Sequence, residues 1–348
     1  MKNVVKLFLE IVKINSPSSH EEQMVDYVKK WLDSIKLPYL IDKKGNIIAK
    51  NIGTGKPSLF CVHLDTVKPG QGIKPIINNG IIKSSGKTIL GADNKAAVSA
   101  LMIAIEEYLL EKNKLNSFEI LFTVEEENGS GLTNFNFKNI KSKQGFIFDS
   151  IKPIGSIILR SPHICLFKAE FKGKASHSST PEKGINALLP AIKALNIVPV
   201  GKINNGETTI NIGLVNCGTC INIVPEKVII EGEIRSYSKK LFESHINKLK
   251  SIFKNSQLNF SGFAPGYIHK ESEKLTKKVV KVYQTLNINP LFFNDSAVSD
   301  ANILNFEGIK IINLGDGVEN AHTVDEHIKI EELNKLKKII LNLLSFNQ

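Results

Sequence analysis

The chain has 348 residues, of which 42% are hydrophobic and 23% charged, so length and composition predict a globular protein of about two domains. Its 45 basic and 34 acidic residues give a formal net charge of +11, but the lysines are spread along the whole chain without a basic cluster, which argues against nucleic acid as a partner. No run approaches the roughly 20 apolar residues of a membrane-spanning helix and no signal-peptide pattern opens the chain, so we expect a cytoplasmic protein without a membrane partner.

The first part of the chain predicts strands that alternate with helices. A capping-box pattern at Ser19 to Glu22 marks the start of one of these helices. The predicted elements are helix 4–12, helix 20–35, strands 45–50 and 57–62, helix 94–112 and strand 118–124. Alternating strands and helices indicate an α/β sheet.

The pattern changes near residue 163 and changes back near residue 269. The elements between these points are strand 164–173, helix 184–195, strands 208–216 and 226–236, helix 238–253 and a strand near 258. This βαββαβ order is typical of a ferredoxin-like unit. The α/β pattern then continues with helices at 271–286 and 330–344. We therefore predict a mixed-sheet α/β domain formed by 1–162 and 269–348, with an inserted α+β domain at 163–268.

The four cysteines are too few and too scattered for a disulfide framework, and they suit a reducing compartment. Cys217 and Cys220 form one CxxC pair. Because no second pair and no histidine lie near it, a zinc knuckle is disfavoured.

Several acidic and histidine side chains stand where predicted strands end. His63 and Asp65 follow a buried strand, and Asp93 lies in a glycine turn before the long helix. The loops at strand ends can present such groups to a cleft. Taken alone, His63 could be structural, and Asp93 could equally be a helix N-cap.

Further acidic groups follow the next apolar strands. Glu126 and Glu127 belong to the run EEENG after the strand that ends at Val124, Asp149 ends the run GFIF, and His322 lies in AHTVDEH. Like charges this close repel, and a cation is the simplest compensation, although an isolated acidic run can also be a solvated turn. Two histidines and three carboxylates in such places suit a pair of zinc ions with open positions for water.

The motifs together resemble the M20 family of zinc peptidases, and within it the peptidase T-like tripeptidases. The resemblance runs nearly end to end in the right order. It is carried by HLDTV (63–67), GADNKAA (91–97), EEENG (125–129), GFIFDS (145–150), GKASHSSTPEKGINA (173–187), NIVPE (222–226), GEIRS (232–236), SDAN (299–302) and HTVDE (322–326).

The resemblance implies a role for each residue of the metal site. Two Zn²⁺ are the implied cofactors, with Co²⁺ or Mn²⁺ as alternatives. The implied ligands are Asp93, which bridges the ions, His63 and Asp149 on one ion, and Glu127 and His322 on the other. Asp65 would orient His63. Glu126 would be the general base that takes a proton from the zinc-activated water.

The resemblance also implies roles for the inserted domain, which in this family covers the active site and forms a homodimer. His177 would stabilise the oxyanion, often in the partner subunit's site. Arg235 and Asn222 would bind the substrate. Arg235 is one of only two arginines among 45 basic residues, which favours a carboxylate-binding role that lysine cannot replace, with a structural ion pair as the alternative.

We therefore expect a dizinc exopeptidase that removes the N-terminal residue of short peptides. An N-acyl-amino-acid deacylase or a carboxypeptidase is the alternative, since the family uses one metal site for all three. A non-catalytic binding protein is a more remote alternative, because no ligand and no general base is lost. Ala297 and Val298 replace the family's usual glycines before SDAN, so the sequence leaves the substrate preference open.

Overall fold

The computed structural model describes residues 3–110 and 115–346. The chain forms a larger unit of Met1–Leu159, Ile268–Asn294 and Ser299–Gln348, and a smaller unit of Arg160–Tyr267 and Asp295–Val298. These bounds differ from the predicted ones mainly at Asp295–Val298. That segment belongs to the smaller unit because hydrogen bonds tie it there, for example from the Ser161 hydroxyl to the Ala297 carbonyl at 2.8 Å.

The helices and strands follow the alternation that the sequence predicts. Within the described residues the helices are α1 (Val4–Ile11), α2 (Glu22–Ser34), α3 (Ala92–Leu110), α4 (Leu188–Leu195), α5 (Lys239–Ile252), α6 (Lys274–Thr285), α7 (Asp300–Phe306) and α8 (Ile330–Ser345). The strands are β1 (Tyr39–Ile41), β2 (Ile47–Asn51), β3 (Thr54–His63), β4 (Pro75–Asn78), β5 (Ile81–Ser84), β6 (Asn116–Thr123), β7 (Gln144–Ser150), β8 (Ser156–Ser161), β9 (His163–Lys172), β10 (Gly201–Ile203), β11 (Thr208–Cys217), β12 (Lys227–Ser236), β13 (Gln257–Ala264), β14 (Tyr267–Ile268), β15 (Leu291–Asn294), β16 (Lys310–Gly315), β17 (Val318–Glu319) and β18 (His327–Lys329).

The larger unit contains a mixed sheet with strand order β1-β2-β6-β3-β7-β16-β8-β14, and β15 pairs with β8. Its centre is parallel, since β6, β3, β7 and β16 run in the same direction. The outer pairs β1–β2, β2–β6 and β16–β8 are antiparallel. The carboxyl ends of the parallel strands therefore lie side by side at one edge of the sheet. This arrangement confirms the predicted mixed-sheet α/β class.

Helix α3 is the central helix of the larger unit and packs against α1, α8 and the strands β3 and β7. Its residues from Ala92 to Ile105 are all buried, because most of the helix beyond Lys95 is apolar and these elements surround it. The predicted end of this helix at Lys112 lies outside the described residues. A smaller antiparallel sheet, of order β17-β18-β5-β4, completes this unit.

The smaller unit is an antiparallel sheet of order β10-β11-β12-β9-β13. Helices α4 and α5 contribute Ala191, Ala194, Phe242 and Leu249 to its own buried core. The element order matches the predicted ferredoxin-like unit, with the short edge strand β10 in addition. Three residues with little apolar character form β10, which is why the sequence pattern did not reveal it.

The predicted capping box of the second helix is wrong. Helix α2 begins at Glu22, and Glu21 at its N-cap makes no capping hydrogen bond with its side chain. The hydroxyl of Ser19 instead donates to the Glu125 carboxylate, 2.7 Å away. The Ser19 hydroxyl therefore bonds to a residue far away in the sequence and does not cap helix α2. Within the described ranges, each helix is too short or too polar to cross a lipid bilayer.

Candidate metal centre

Three parallel strands deliver His63, Glu127 and Asp149, three of the five predicted ligands, to one edge of the larger unit's sheet. His63 is the last residue of β3 and pairs in register with Thr123 at the end of β6. Glu126 and Glu127 lie in the turn after β6, and Asp149 lies near the end of β7. Because parallel strands end at a common edge, residues about 20 to 90 positions apart in the sequence become neighbours in space.

His63, Asp93 and Asp149 form one group of possible ligands. The Nε2 atom of His63 lies 3.2 Å from Oδ1 of Asp93 and 3.5 Å from Oδ1 of Asp149. Asn313 fixes the backbone at Asp149 by donating to its carbonyl and accepting its N–H, at 2.9 and 3.0 Å. Burial alone would lower the pKa of His63, but Asp149 and the other carboxylates outweigh it and hold that pKa well above its usual value.

Asp93, Glu127 and His322 form a second group, so Asp93 belongs to both. The Nε2 atom of His322 lies 2.9 Å from Oε1 of Glu127 and 3.4 Å from Oδ2 of Asp93. The other oxygen of Asp93, Oδ1, faces His63. Hydrogen bonds to Asp93 and Glu127 raise the pKa of His322 to about 10. Asp93 therefore has the geometry of a carboxylate that bridges two ions.

The donor set fits a pair of divalent transition-metal ions. Within each group the ligand atoms lie within 4.8 Å of one another, which suits a shared ion at bonds of roughly 2.0–2.2 Å. Each group supplies three protein ligands and so leaves positions open, as catalytic zinc sites do. Burial raises the pKa of Asp149 to about 7, and a bound cation would offset that crowding of negative charge.

Asp65 connects the ligand His63 to the turn that carries the acidic run. Its Oδ1 lies 3.3 Å from Nδ1 of His63, in the position expected of an orienting carboxylate. The same carboxylate accepts the backbone N–H groups of Glu126 and Glu127 at 3.0 and 3.1 Å. The Ser18 hydroxyl donates to it at 2.7 Å. Asp65 therefore positions both a ligand and the turn beside it.

Glu126 adjoins the two groups without belonging to either. Desolvation, followed by the negative charge of Asp149, raises its pKa well above the usual value. Nearby Glu125 has a different environment. Its carboxylate binds Lys44 at 2.7 Å and the hydroxyls of Ser19 and Ser130, which lower its pKa to about 2. Of the two, Glu126 is the better candidate for a group that takes up and releases a proton.

Three buried acidic residues lie beside this centre, and the sequence predicted no role for them individually. Asp300, Asp316 and Glu326 are each almost fully buried in the larger unit. Burial raises the pKa of Asp300 to about 6 and that of Glu326 to about 7. The first and last lie in the quoted motifs SDAN and HTVDE, so their position was visible in the sequence, but their burial was not.

The remaining predicted residues lie in the smaller unit. His177 is exposed, and its Nδ1 accepts the backbone N–H of Ser179 at 3.2 Å, which leaves Nε2 as the ring nitrogen that can donate. Asn222 is exposed as well, and its backbone carbonyl accepts the backbone N–H of Ser178.

The guanidinium of Arg235 is engaged within the smaller unit. It donates from Nε and Nη2 to the Glu233 carboxylate at 2.9 and 3.0 Å, and from Nη1 to the carbonyl of Ser296 at 2.7 Å. The chain's other arginine, Arg160, donates to Glu207 in a similar two-point arrangement. Both arginines are thus paired with glutamates.

Comparison with known proteins places this architecture in a family. Residues 163–260 match the model of a peptidase dimerisation domain. The chain is 32% identical to the uncharacterized protein YqjE of Bacillus subtilis, over 99% of this chain and 98% of that protein. The crystal structure of the aminopeptidase PepT from Bacillus cereus is 30% identical, with a TM-score of 0.92 over 98% of this chain and 97% of that one.

A tripeptidase structure from Staphylococcus aureus is similar over 98% of this chain and 96% of that chain, with 27% identity and a TM-score of 0.93. These likenesses cover both units of the chain. The chain therefore belongs to the M20 family of metal-dependent peptidases and resembles peptidase T along its whole length.

Proposed function

We propose that this protein is an aminopeptidase that releases the N-terminal residue of short peptides, as a tripeptidase does. The observation that carries the proposal is the placement of Glu126 beside two histidine–carboxylate groups that share Asp93. The likeness to an aminopeptidase and to a tripeptidase, each over nearly the whole chain, supports the substrate class.

The proposed cofactors are two Zn²⁺ ions. His63 and Asp149 would hold one ion, Glu127 and His322 the other, and Asp93 both. Bound there, the ions would polarise the scissile carbonyl and make a coordinated water more acidic. Co²⁺ and Mn²⁺ are alternative occupants, since imidazole and carboxylate ligands also suit them.

The proposed general base is Glu126. Its carboxylate would accept a proton from the attacking water and then pass that proton to the leaving amine. A raised pKa suits this role, because the residue must be protonated between the two transfers. Asp65 would keep the carboxylate in place by holding the backbone N–H of Glu126.

The smaller unit would supply the groups that contact the substrate. Because Nδ1 of His177 accepts the N–H of Ser179, its Nε2 would donate to the oxyanion. Arg235 would bind the substrate's C-terminal carboxylate, in competition with Glu233. Asn222 would add a polar contact to the peptide.

A homodimer through the smaller unit is part of the proposal. Strand β10 pairs only with Thr208–Ile210 of β11, so the rest of that β11 edge has no strand partner within the described residues. Leu214 on this stretch is 57% exposed, and Leu189 on α4 is 60% exposed. An unpaired strand edge with exposed apolar side chains is a surface that a second copy can cover. The match to a dimerisation domain supports this choice.

The substrate proposal is tested with the zinc-loaded protein and four sets of compounds: free tripeptides, free dipeptides, N-acetylated tripeptides and acetyl-amino acids. We expect release of the N-terminal residue from free tripeptides, and none from the acetylated compounds. Cleavage of acetyl-amino acids would favour a deacylase. Release of the C-terminal residue from blocked peptides would favour a carboxypeptidase. Activity on none of these after zinc loading would contradict the proposal.

A further inference from the structure

We propose that Glu326 is a positioning residue that joins two ligand-bearing segments of the metal centre, the turn with Asp93 and the loop with His322. The inference rests on the metal centre of the proposed function and is independent of the substrate. The Glu326 side chain forms hydrogen bonds to the backbone at Gly91 and Asp93, so it acts on the proposed ligands through the backbone around them.

The contacts of the Glu326 side chain carry the proposal. Its carboxylate is fully buried, and Oε2 accepts the N–H of Gly91 at 2.7 Å while Oε1 accepts the N–H of Asp93 at 3.0 Å. The backbone N–H of Glu326 donates to the Thr323 carbonyl at 3.1 Å, which closes a turn directly after His322. One side chain therefore ties together segments that are more than 200 residues apart in the sequence.

This connection needs two acceptor oxygens, one for each N–H. A carboxylate offers an acceptor oxygen to each N–H, whereas a glutamine would turn its NH₂ group toward one of them and leave two donors facing each other. The buried amine of Lys95 donates to the Ile14 carbonyl at 2.6 Å and lies in the field of Glu326 and Asp65. The two backbone N–H groups are the direct partners of the buried Glu326 carboxyl group.

Loss of the Glu326 contacts would affect the position of Asp93, whose two oxygens face different histidines. A bridging ligand must satisfy two ions at once, so a small displacement of its backbone disturbs both bonds. Loss of an outer contact of this kind typically lowers metal affinity about 10- to 100-fold.

Glu119 provides a matched control. It is also a buried glutamate, accepts two backbone N–H groups, from Lys141 and Ser142, and pairs with a lysine, Lys50, at 3.0 Å. The loop that it anchors precedes β7, and none of these partners is a proposed metal ligand. Glu119→Gln should therefore cost stability much as Glu326→Gln does, without an effect on zinc.

The test measures Zn²⁺ affinity of the metal-free, full-length protein by competition with a chromophoric chelator, together with the Tm. We expect wild type and Glu119→Gln to bind two Zn²⁺ equally well, and Glu326→Gln to bind at least one of them about 10- to 100-fold more weakly. Both variants should lower the Tm. Affinities of Glu326→Gln within about threefold of those of Glu119→Gln at both sites would overturn the inference.

If Glu326→Gln does not fold, the same measurement is made on Glu326→Asp. This variant keeps the carboxyl group but is one methylene too short to reach both N–H groups, so we expect about a tenfold loss of Zn²⁺ affinity. An unchanged Zn²⁺ affinity would overturn the proposal. A wild-type protein that binds no Zn²⁺ would instead refute the metal centre, and with it this inference. Normal Zn²⁺ binding without peptidase activity would refute only the proposed function.

Discussion

Asp93 places one carboxylate oxygen near each of two histidines, Oδ1 near His63 and Oδ2 near His322, and the proposed pair of ions rests on this arrangement. The sequence places Asp93 in a glycine turn before a helix, where a capping role was an equal alternative. The contacts with His63 and His322 support the proposed bridging role, because both oxygens of the carboxylate face imidazole nitrogens. No local pattern contains that information.

At the scale of single residues, we predict that Glu126→Gln removes most turnover but leaves the zinc content intact. The substitution deletes the proton acceptor without deleting a proposed ligand, and a general base typically contributes about 10²- to 10⁴-fold to the rate. Steady-state kinetics and elemental analysis of the same preparation provide the measurement.

Glu127→Gln is the control for this prediction, since it is the same change one residue further along. It should lower zinc content and activity together, because Glu127 is a proposed ligand. A Glu126→Gln protein with activity within about threefold of wild type would argue against the general-base role.

A second prediction concerns Arg235 and its partner Glu233. If Arg235 binds the peptide's C-terminal carboxylate, Arg235→Lys should weaken binding of free peptides by about 1.5–3 kcal/mol and reduce discrimination against amidated ones. Glu233→Gln should keep or improve binding of free peptides, because it removes the competing carboxylate.

The measurement is kcat/KM for matched free and amidated tripeptides. An equal loss for both peptides in Arg235→Lys, with a similar loss in Glu233→Gln, would show that the arginine serves the structure of the smaller unit. The bond from Arg235 to the Ser296 carbonyl makes this the alternative to be excluded.

At the scale of elements, the close pairing of β3 and β7 sets the distance between two ligands. Gly145 lies opposite Leu59 in this parallel pair, and His63 and Asp149 follow four residues later on their strands. A Cβ atom at Gly145 would stand 2.1 Å from the Leu59 carbonyl oxygen. Because that obstacle is backbone, no change of rotamer relieves it.

We therefore predict that Gly145→Ala destabilises the protein by about 1–3 kcal/mol, or more if β7 cannot shift, and lowers its zinc affinity. Gly213→Ala in β11 is the control, since its Cβ would meet nothing closer than 3.8 Å. Urea unfolding and a zinc titration measure both effects. A change below about 0.5 kcal/mol in Gly145→Ala would contradict the expected clash.

At the scale of the whole molecule, a further prediction concerns whether His177 acts in the active site of its own chain or in that of a partner subunit. If it acts across a dimer, mixing inactive His177→Ala and Glu126→Gln proteins should restore about a quarter of wild-type activity, because half of the dimers are mixed and each has one complete site. Subunit exchange is verified with two mass-tagged forms, and each variant alone is the control. Proven exchange without recovery would assign His177 to its own chain or to no catalytic role.

The sequence by itself determined the fold class, the family and the order of the elements. These depend on patterns between neighbours in the chain: apolar runs form strands, helical spacing forms α3 and α8, and chemical motifs stand where strands end. The predicted α/β class and the resemblance to peptidase T are confirmed for that reason.

Only the tertiary structure decided which polar groups meet across long stretches of chain. Ser19 donates to Glu125 and forms no capping box, Asp65 holds the turn of Glu126, and Glu326 holds the turn of Asp93. Each of these contacts joins residues 61 to 233 positions apart. Such pairs depend on the packing of whole elements, and hydrogen bonds at this distance leave no periodic pattern in the sequence.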